Sequence, residues 1–108
     1  MSVEISQVER SIWQRRAVAE LAAILRTHAD LPILAWTVGS AGSVLLGRVA
    51  APAASEARVV FDTWKTALML HESSSTPTGG TVHLRAEVRR NQVSVLVTAT
   101  VFTTRDDR

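Results

Sequence analysis

The sequence predicts an α+β domain in which two helices cover one face of a four-stranded antiparallel sheet. Two long segments place apolar residues at the spacing of an amphipathic helix, and four shorter segments alternate apolar and polar residues as strands do. Helices in such an order must cover one face of the sheet. Moving the first strand of a ferredoxin-like βαββαβ fold to its end produces the same αββαββ order. We therefore predict a permuted ferredoxin-like fold with strand order 1-2-4-3.

The composition is that of one ordered domain spanning residues 1–108. With 46% apolar and 20% charged residues, the chain can close a single core. A net charge of +2 is small for a nucleic-acid-binding protein, and the lack of cysteine excludes disulfides and cysteine-ligated zinc. Residues 1–6 lack the pattern of a signal peptide, and proline and glycine interrupt the longest nearly uncharged run, 31–46. We therefore expect a cytoplasmic protein that does not associate with membranes.

The first helix is predicted from Ser6, whose spacing to Glu9 is that of a capping box, to about Ala29. Arg16 and Glu20 are four residues apart and are expected to pair on its exposed side. Its buried side is predicted from an apolar stripe of Ile12, Ala17, Val18, Leu21, Ile24 and Leu25.

A hairpin is predicted next, with strands at 33–38 and 43–50 around the turn Gly39–Gly42. The second of these strands has two apolar sets, because Leu45 and Val49 lie on one face and Val44 and Leu46 on the other. The second set shares its face with Arg48, so we expect this face to be the open one.

The second helix is predicted from an N-cap at Ser55 to about His71. Its buried stripe is Ala57, Val60, Phe61, Trp64, Ala67, Leu68 and His71, and Arg58 and Asp62 are expected to pair outside it. The polar segment 72–80 is predicted to be a mobile loop, and the charged tail 105–108 is expected to fray.

The last hairpin is predicted from strands at 81–89 and 93–102 with a turn near residues 90–92. The final strand is the most β-branched stretch of the chain and is expected at the centre of the sheet. Val93, Val95, Val97, Ala99 and Val101 form its aliphatic face. Its other face carries Ser94, Leu96, Thr98, Thr100 and Phe102.

The candidate site residues are those that this arrangement leaves on the uncovered face of the sheet. The interface candidates are Leu46, Arg48, Leu96, Thr98 and Phe102. A strip of His83, Arg85 and Arg89 is a candidate surface for an anion or a partner, because the guanidinium group is a fork-shaped donor. No catalytic, cofactor-binding or metal-ligating residues are predicted. His28 and His71 are expected near helix C-termini, where an imidazolium meets the negative end of the dipole.

Three segments, 31–39, 61–68 and 81–86, resemble parts of small actinobacterial proteins of unknown function. The resemblance implies a cytoplasmic accessory or regulatory protein and carries over no functional residues.

Taken together, these patterns predict a non-enzymatic interaction module that forms a homodimer through its open sheet face, with a further protein partner possible. The alternative is a nucleic-acid-binding regulator that uses arginines on the third strand or the first helix. No cofactor is expected.

Overall fold

The computed structural model describes residues 7–39, 43–50, 53–73 and 79–102, which form two helices and a five-stranded mixed sheet. The helices are α1 (Gln7–Thr27) and α2 (Ala54–Ala67). The strands are β1 (Leu34–Val38), β2 (Val44–Val49), β3 (His71–Glu72), β4 (Thr81–Arg90) and β5 (Val93–Phe102). Their order across the sheet is β1-β2-β5-β4-β3, so β5 is central. The α+β class and the relative order of the four predicted strands are confirmed.

The sheet is mixed rather than antiparallel, because the chain forms a short additional strand between α2 and β4. The strand β3 pairs with β4 antiparallel, and β4 pairs with β5 antiparallel. This extra reversal makes β5 run parallel to β2, whereas a direct connection from α2 into β4 would make them antiparallel. The predicted four-stranded antiparallel sheet and permuted ferredoxin-like topology are therefore matched only in part.

The additional strand can form because α2 ends at Ala67, before His71, where the prediction ended it. Leu68 is the C-cap of α2, and Met69 has a positive φ of 57°. The amide of Leu70 donates to the carbonyl of Lys65 at 2.9 Å, and the amide of Met69 donates to Thr66 at 3.3 Å. This is the Schellman pattern of helix termination. The predicted end at His71 is therefore wrong, because His71 lies in β3.

The start of α2 also differs from the prediction. Its N-cap is Ala53, which makes no side-chain capping bond, and Ser55 lies inside the helix. In contrast, the last hairpin is confirmed. Asn91 and Gln92 form its two-residue turn with φ values of 49° and 67°. Two successive positive φ angles are typical of the type I′ turn, whose twist matches the flanking strands.

One core lies between the helices and one face of the sheet. Its α2 contribution is the predicted stripe, with Ala57, Val60, Phe61, Trp64 and Leu68 buried. The sheet contributes Leu34, Leu45, Leu84, Ala86, Val93, Val95, Val97 and Ala99. The predicted aliphatic face of β5 is therefore confirmed for these four β5 residues, and helices cover it.

The helix α1 packs differently from the prediction. Ala17 and Ile24 are buried as expected, but Ile12, Val18 and Leu25 are 43%, 49% and 46% exposed. Glu20, which was expected to face outward, is buried. Burial of an acidic side chain requires partners, and those of Glu20 lie on the sheet side of α1, as described below. The buried side of α1 is therefore Ala17, Glu20 and Ile24, which is rotated from the side that its apolar stripe predicts.

Gly47 leaves room on β2 for two side chains of β1. A Cβ atom at this position would lie 2.9 Å from Leu34 Cδ1 and 3.0 Å from Trp36 Cζ3. We expect Gly47→Ala to destabilise the protein by about 1 kcal/mol, because overpacking costs about 1–3 kcal/mol and the entropic gain of replacing glycine is about 0.4–1 kcal/mol. Thermal melts test this expectation. An increased melting temperature would show that the Trp36 ring does not pack on Gly47.

Several predictions lie outside the described residues. These are the capping residue Ser6, the turn residues 40–42, the loop residues 74–78, the side chain of Phe102 and the tail 105–108.

Candidate functional site

The face of the sheet opposite the helices, called here the open face, carries most of the predicted site residues. Alternation along each strand places on it Ala35, Thr37, Val44, Leu46, Arg48, His71, Thr81, His83, Arg85, Glu87, Arg89, Ser94, Leu96, Thr98 and Thr100. The described parts of both helices lie on the other side. The prediction that Arg48 marks the open face of its strand is therefore confirmed.

The centre of the open face is apolar. Leu46 on β2 and Leu96 on β5 are register partners across the parallel pair, and both side chains are half-buried. Val44, also half-buried, lies on the same face beside Ser94. The two leucines are thus neighbours at the middle of the sheet, which the sequence could not show because it did not fix the register of β2 against β5.

Threonines and arginines surround these leucines. Thr98 is the register partner of Arg48 on one side and of Arg85 on the other. The two predicted residue sets, the interface candidates and the arginine-histidine strip, therefore form one continuous face. Phe102 pairs with Thr81 through the backbone at the end of β5.

The polar strip on β4 is organised by short side-chain contacts. Arg85 Nη2 lies 3.3 Å from Glu87 Oε1, but both side chains are more than half exposed, so this ion pair contributes little to stability. His83 Nδ1 lies 3.3 Å from Thr100 Oγ1. Arg89 Nη1 donates to Ser94 Oγ at 3.2 Å. The described part of the open face carries three arginines, Arg48, Arg85 and Arg89, and one glutamate, Glu87. It is therefore positively charged.

On the helix side, Glu20 joins α1 to the end of the last hairpin. Its side chain is 6% exposed, and its two oxygens accept hydrogen bonds from Arg90 Nε at 2.9 Å and Asn91 Nδ2 at 2.8 Å. Burial alone would raise the pKa of Glu20, but the hydrogen bonds from Asn91 and Arg90 and the Arg90 charge outweigh it, so the pKa is lowered. The prediction that Glu20 pairs with Arg16 is therefore wrong.

A second charged cluster lies beside α2. Arg58 and Asp62 form the predicted pair at 3.2 Å. Lys65 Nζ lies 2.7 Å from Glu72 Oε1, and this hydrogen bond raises the pKa of Lys65. Because Glu72 belongs to β3, the contact attaches the additional strand to α2.

The three histidines occupy separate places. His28 is near the C-terminus of α1 as predicted, although α1 ends at Thr27, and its ring packs edge-on against Trp64 with 6.2 Å between centroids. His71 is opposite Glu87 at the edge of the sheet rather than at a helix C-terminus, and His83 is on the open face. Within the described ranges, no group of three or more His, Asp or Glu side chains could hold a metal ion.

Neither α1 nor α2, the helices of the described ranges, is long and apolar enough to cross a membrane. The resemblance to small actinobacterial proteins stays a prediction. Comparison of the chain with protein-family models, curated proteins and solved structures finds no match.

Proposed function

We propose that this chain is a small cytoplasmic, non-enzymatic interaction or regulatory module that forms a homodimer through the open face. The observation that carries the proposal is the pair Leu46 and Leu96 on the uncovered side of the parallel strands β2 and β5. The strands of all-parallel sheets are buried on both faces, whereas a monomer leaves the parallel pair of this mixed sheet covered on one face only. A second layer over the open face would remove that exception.

A second copy of the chain is the simplest second layer. An apolar centre with a polar rim is the usual composition of a protein interface, and here threonines and arginines surround the two leucines. A two-fold axis needs only one self-complementary patch. The open face provides such a patch with Leu96 near its middle.

The charge of the open face predicts how the affinity of the dimer changes with salt concentration. Three arginines against one glutamate on the described part of each face make two copies repel each other. Added salt screens this repulsion. The homodimer should therefore become tighter as the salt concentration rises.

The variant that tests the dimer is Leu96→Glu. A charge at the centre of the interface should convert the dimer to a monomer, as measured by light scattering or sedimentation. Leu96 is the register partner of Glu87, so the glutamate of Leu96→Glu would also repel that carboxylate within one chain. The second variant, Leu96→Lys, adds a charge at the same position without this repulsion. Circular dichroism confirms that each variant is folded.

The matched control is Val59→Glu, which places the same charge on α2 at a residue that is 63% exposed, and it should leave the dimer intact. A wild-type protein that is monomeric at high micromolar concentration would contradict the proposed dimer. So would dissociation of the Val59→Glu control.

The second candidate function is nucleic-acid binding, which is favoured by the placement of Arg48, Arg85 and Arg89 on one face. Against it, the described central strands present no Phe, Tyr or Trp side chain on this face for bases to stack on. Salt separates the two functions, because phosphate contacts weaken as salt rises while the proposed dimer tightens. Titration of the wild type with random-sequence DNA at two salt concentrations makes this comparison.

A further inference from the structure

A cleft at the end of the sheet brings together an arginine from α1 and an arginine from β4. The cleft has a volume of about 340 Å³ and is lined by Trp13, Arg16, Ser43, Arg89, Gln92 and Ser94 among others. It lies where β2 and β5 begin, so it adjoins both the helix layer and the open face. We name it the end cleft.

Contacts along the wall of the end cleft hold its two sides together. The amide of Ser94 donates to the carbonyl of Ser43 at 2.8 Å, which joins the starts of β5 and β2. Ser43 Oγ donates to the carbonyl of Trp13 at 3.4 Å, which joins β2 to α1. The cleft is therefore formed by packed secondary structure rather than by side chains on an open surface.

The positive charge in the end cleft is not neutralised by the described residues. No acidic side chain lines the cleft, and neither Arg16 nor Arg89 is in an ion pair with a described residue. Glu20 lies one turn from Arg16 but is held by Arg90 and Asn91. Two guanidinium groups without a carboxylate in a concave site concentrate positive potential and attract anions.

The side chains of the end cleft also define the type of anion. Guanidinium groups bind phosphate oxygens through paired hydrogen bonds, and the hydroxyl of Ser94, whose oxygen accepts from Arg89, is a further donor at the site. Trp13 adds an indole ring, on which a planar heterocycle can stack. The cleft volume is near the lower end of the about 300–1,000 Å³ of ligand sites, which favours a ligand of one nucleotide unit.

We infer that the end cleft binds a small phosphate monoester that carries an aromatic ring, of the size of a nucleoside monophosphate. Arg16 and Arg89 bind the phosphate, and Trp13 packs against the ring. The inference goes beyond the proposed dimer, but the end cleft shares Arg89 and Ser94 with the open face. Binding is therefore measured on the wild type and on the Leu96→Glu variant, in which the open face should be free.

Calorimetric titration of the whole chain with adenosine monophosphate, adenosine and inorganic phosphate tests the inference. Adenosine monophosphate should bind about tenfold or more tightly than either adenosine or phosphate, because each half of the ligand has its own contacts. Arg16→Gln and Arg89→Gln should each weaken its binding about tenfold, the effect of losing one hydrogen bond to a charged group. Arg89 is exposed and Arg16 is half-buried, and circular dichroism checks that both variants remain folded.

The charge-matched control is Arg26→Gln, which removes one positive charge from the exposed last turn of α1, outside the end cleft. It should leave the dissociation constant of adenosine monophosphate nearly unchanged at physiological salt. Trp13→Leu should weaken adenosine monophosphate about fivefold or more but leave phosphate binding unchanged, whereas Trp13→Phe should keep most of the affinity.

Three results would overturn the inference. The first is no binding of adenosine monophosphate by the folded wild type at millimolar concentration. The second is an equal loss in Arg26→Gln and Arg16→Gln, which would show a non-specific charge effect. The third is a single-stranded oligonucleotide that binds more tightly than the mononucleotide with a steep salt dependence, which would identify a nucleic-acid strand as the ligand.

Discussion

Replacing Trp64 with alanine should lower the free energy of unfolding by about 3–5 kcal/mol, the usual cost of deleting a large buried aromatic side chain. Trp64 is 1% exposed, and its ring packs edge-on against Trp36 with 5.7 Å between centroids. Its Nε1 donates to the carbonyl of Pro32 at 2.8 Å, so the variant also leaves that carbonyl without its partner. Chemical denaturation followed by circular dichroism measures the change.

Two variants on α2 make the Trp64 experiment specific. Val59→Ala on the exposed side should change the unfolding free energy by less than about 0.5 kcal/mol. Trp64→Phe keeps an aromatic ring but loses the hydrogen bond to the carbonyl of Pro32. Its loss of unfolding free energy should therefore lie between those of Val59→Ala and Trp64→Ala. An unchanged unfolding midpoint for Trp64→Ala would contradict the orientation of α2 described above.

Glu20→Gln should destabilise the protein by about 1–3 kcal/mol at pH 7, the cost of disturbing a buried, charged hydrogen-bond acceptor. Glutamine retains the shape of glutamate but cannot accept hydrogen bonds from both Arg90 and Asn91. The control Glu56→Gln, in the exposed first turn of α2, should cost no more than about 1 kcal/mol. Coupling between Glu20 and Arg90 is measured by a double-mutant cycle.

The effect of Glu20→Gln should also depend on pH. Because the folded-state pKa of Glu20 is lowered, its carboxylate contributes stability that is fully present above its ordinary pKa of 4.5. This contribution is lost as the pH falls through the lower folded value. The difference between wild type and Glu20→Gln should therefore shrink between pH 7 and about pH 3. A difference that is constant over this range would show that the Glu20 charge does not stabilise the fold.

Regular periodicity was sufficient to predict which residues face the core in α2 and β5. Every second residue of β5 from Val93 to Ala99 is buried, and the α2 stripe around Phe61 and Trp64 is buried as well. Each of these elements meets one covering layer, so its sequence contains a single apolar face at the period of its secondary structure. The open face was predictable for the same reason, and Arg48 identified it on β2.

Three features could not be derived from local patterns. The orientation of α1 depends on Glu20, whose partner Arg90 is 70 residues away in the sequence. The direction of β5 relative to β2 depends on β3, a two-residue strand too short to show alternation. The end cleft depends on how the first half of α1 lies over the starts of β2 and β5.

All three features depend on contacts between elements that are distant in the chain. Periodicity reports which side of an element is apolar, but it does not report which polar group compensates a buried charge or which strand end an arginine approaches. Leu96 was therefore a candidate from sequence, whereas its pairing with Leu46 and the convergence of Arg16 with Arg89 required the packed fold. A buried carboxylate and a reversed strand direction follow from pairing across the core, which no single segment of the sequence contains.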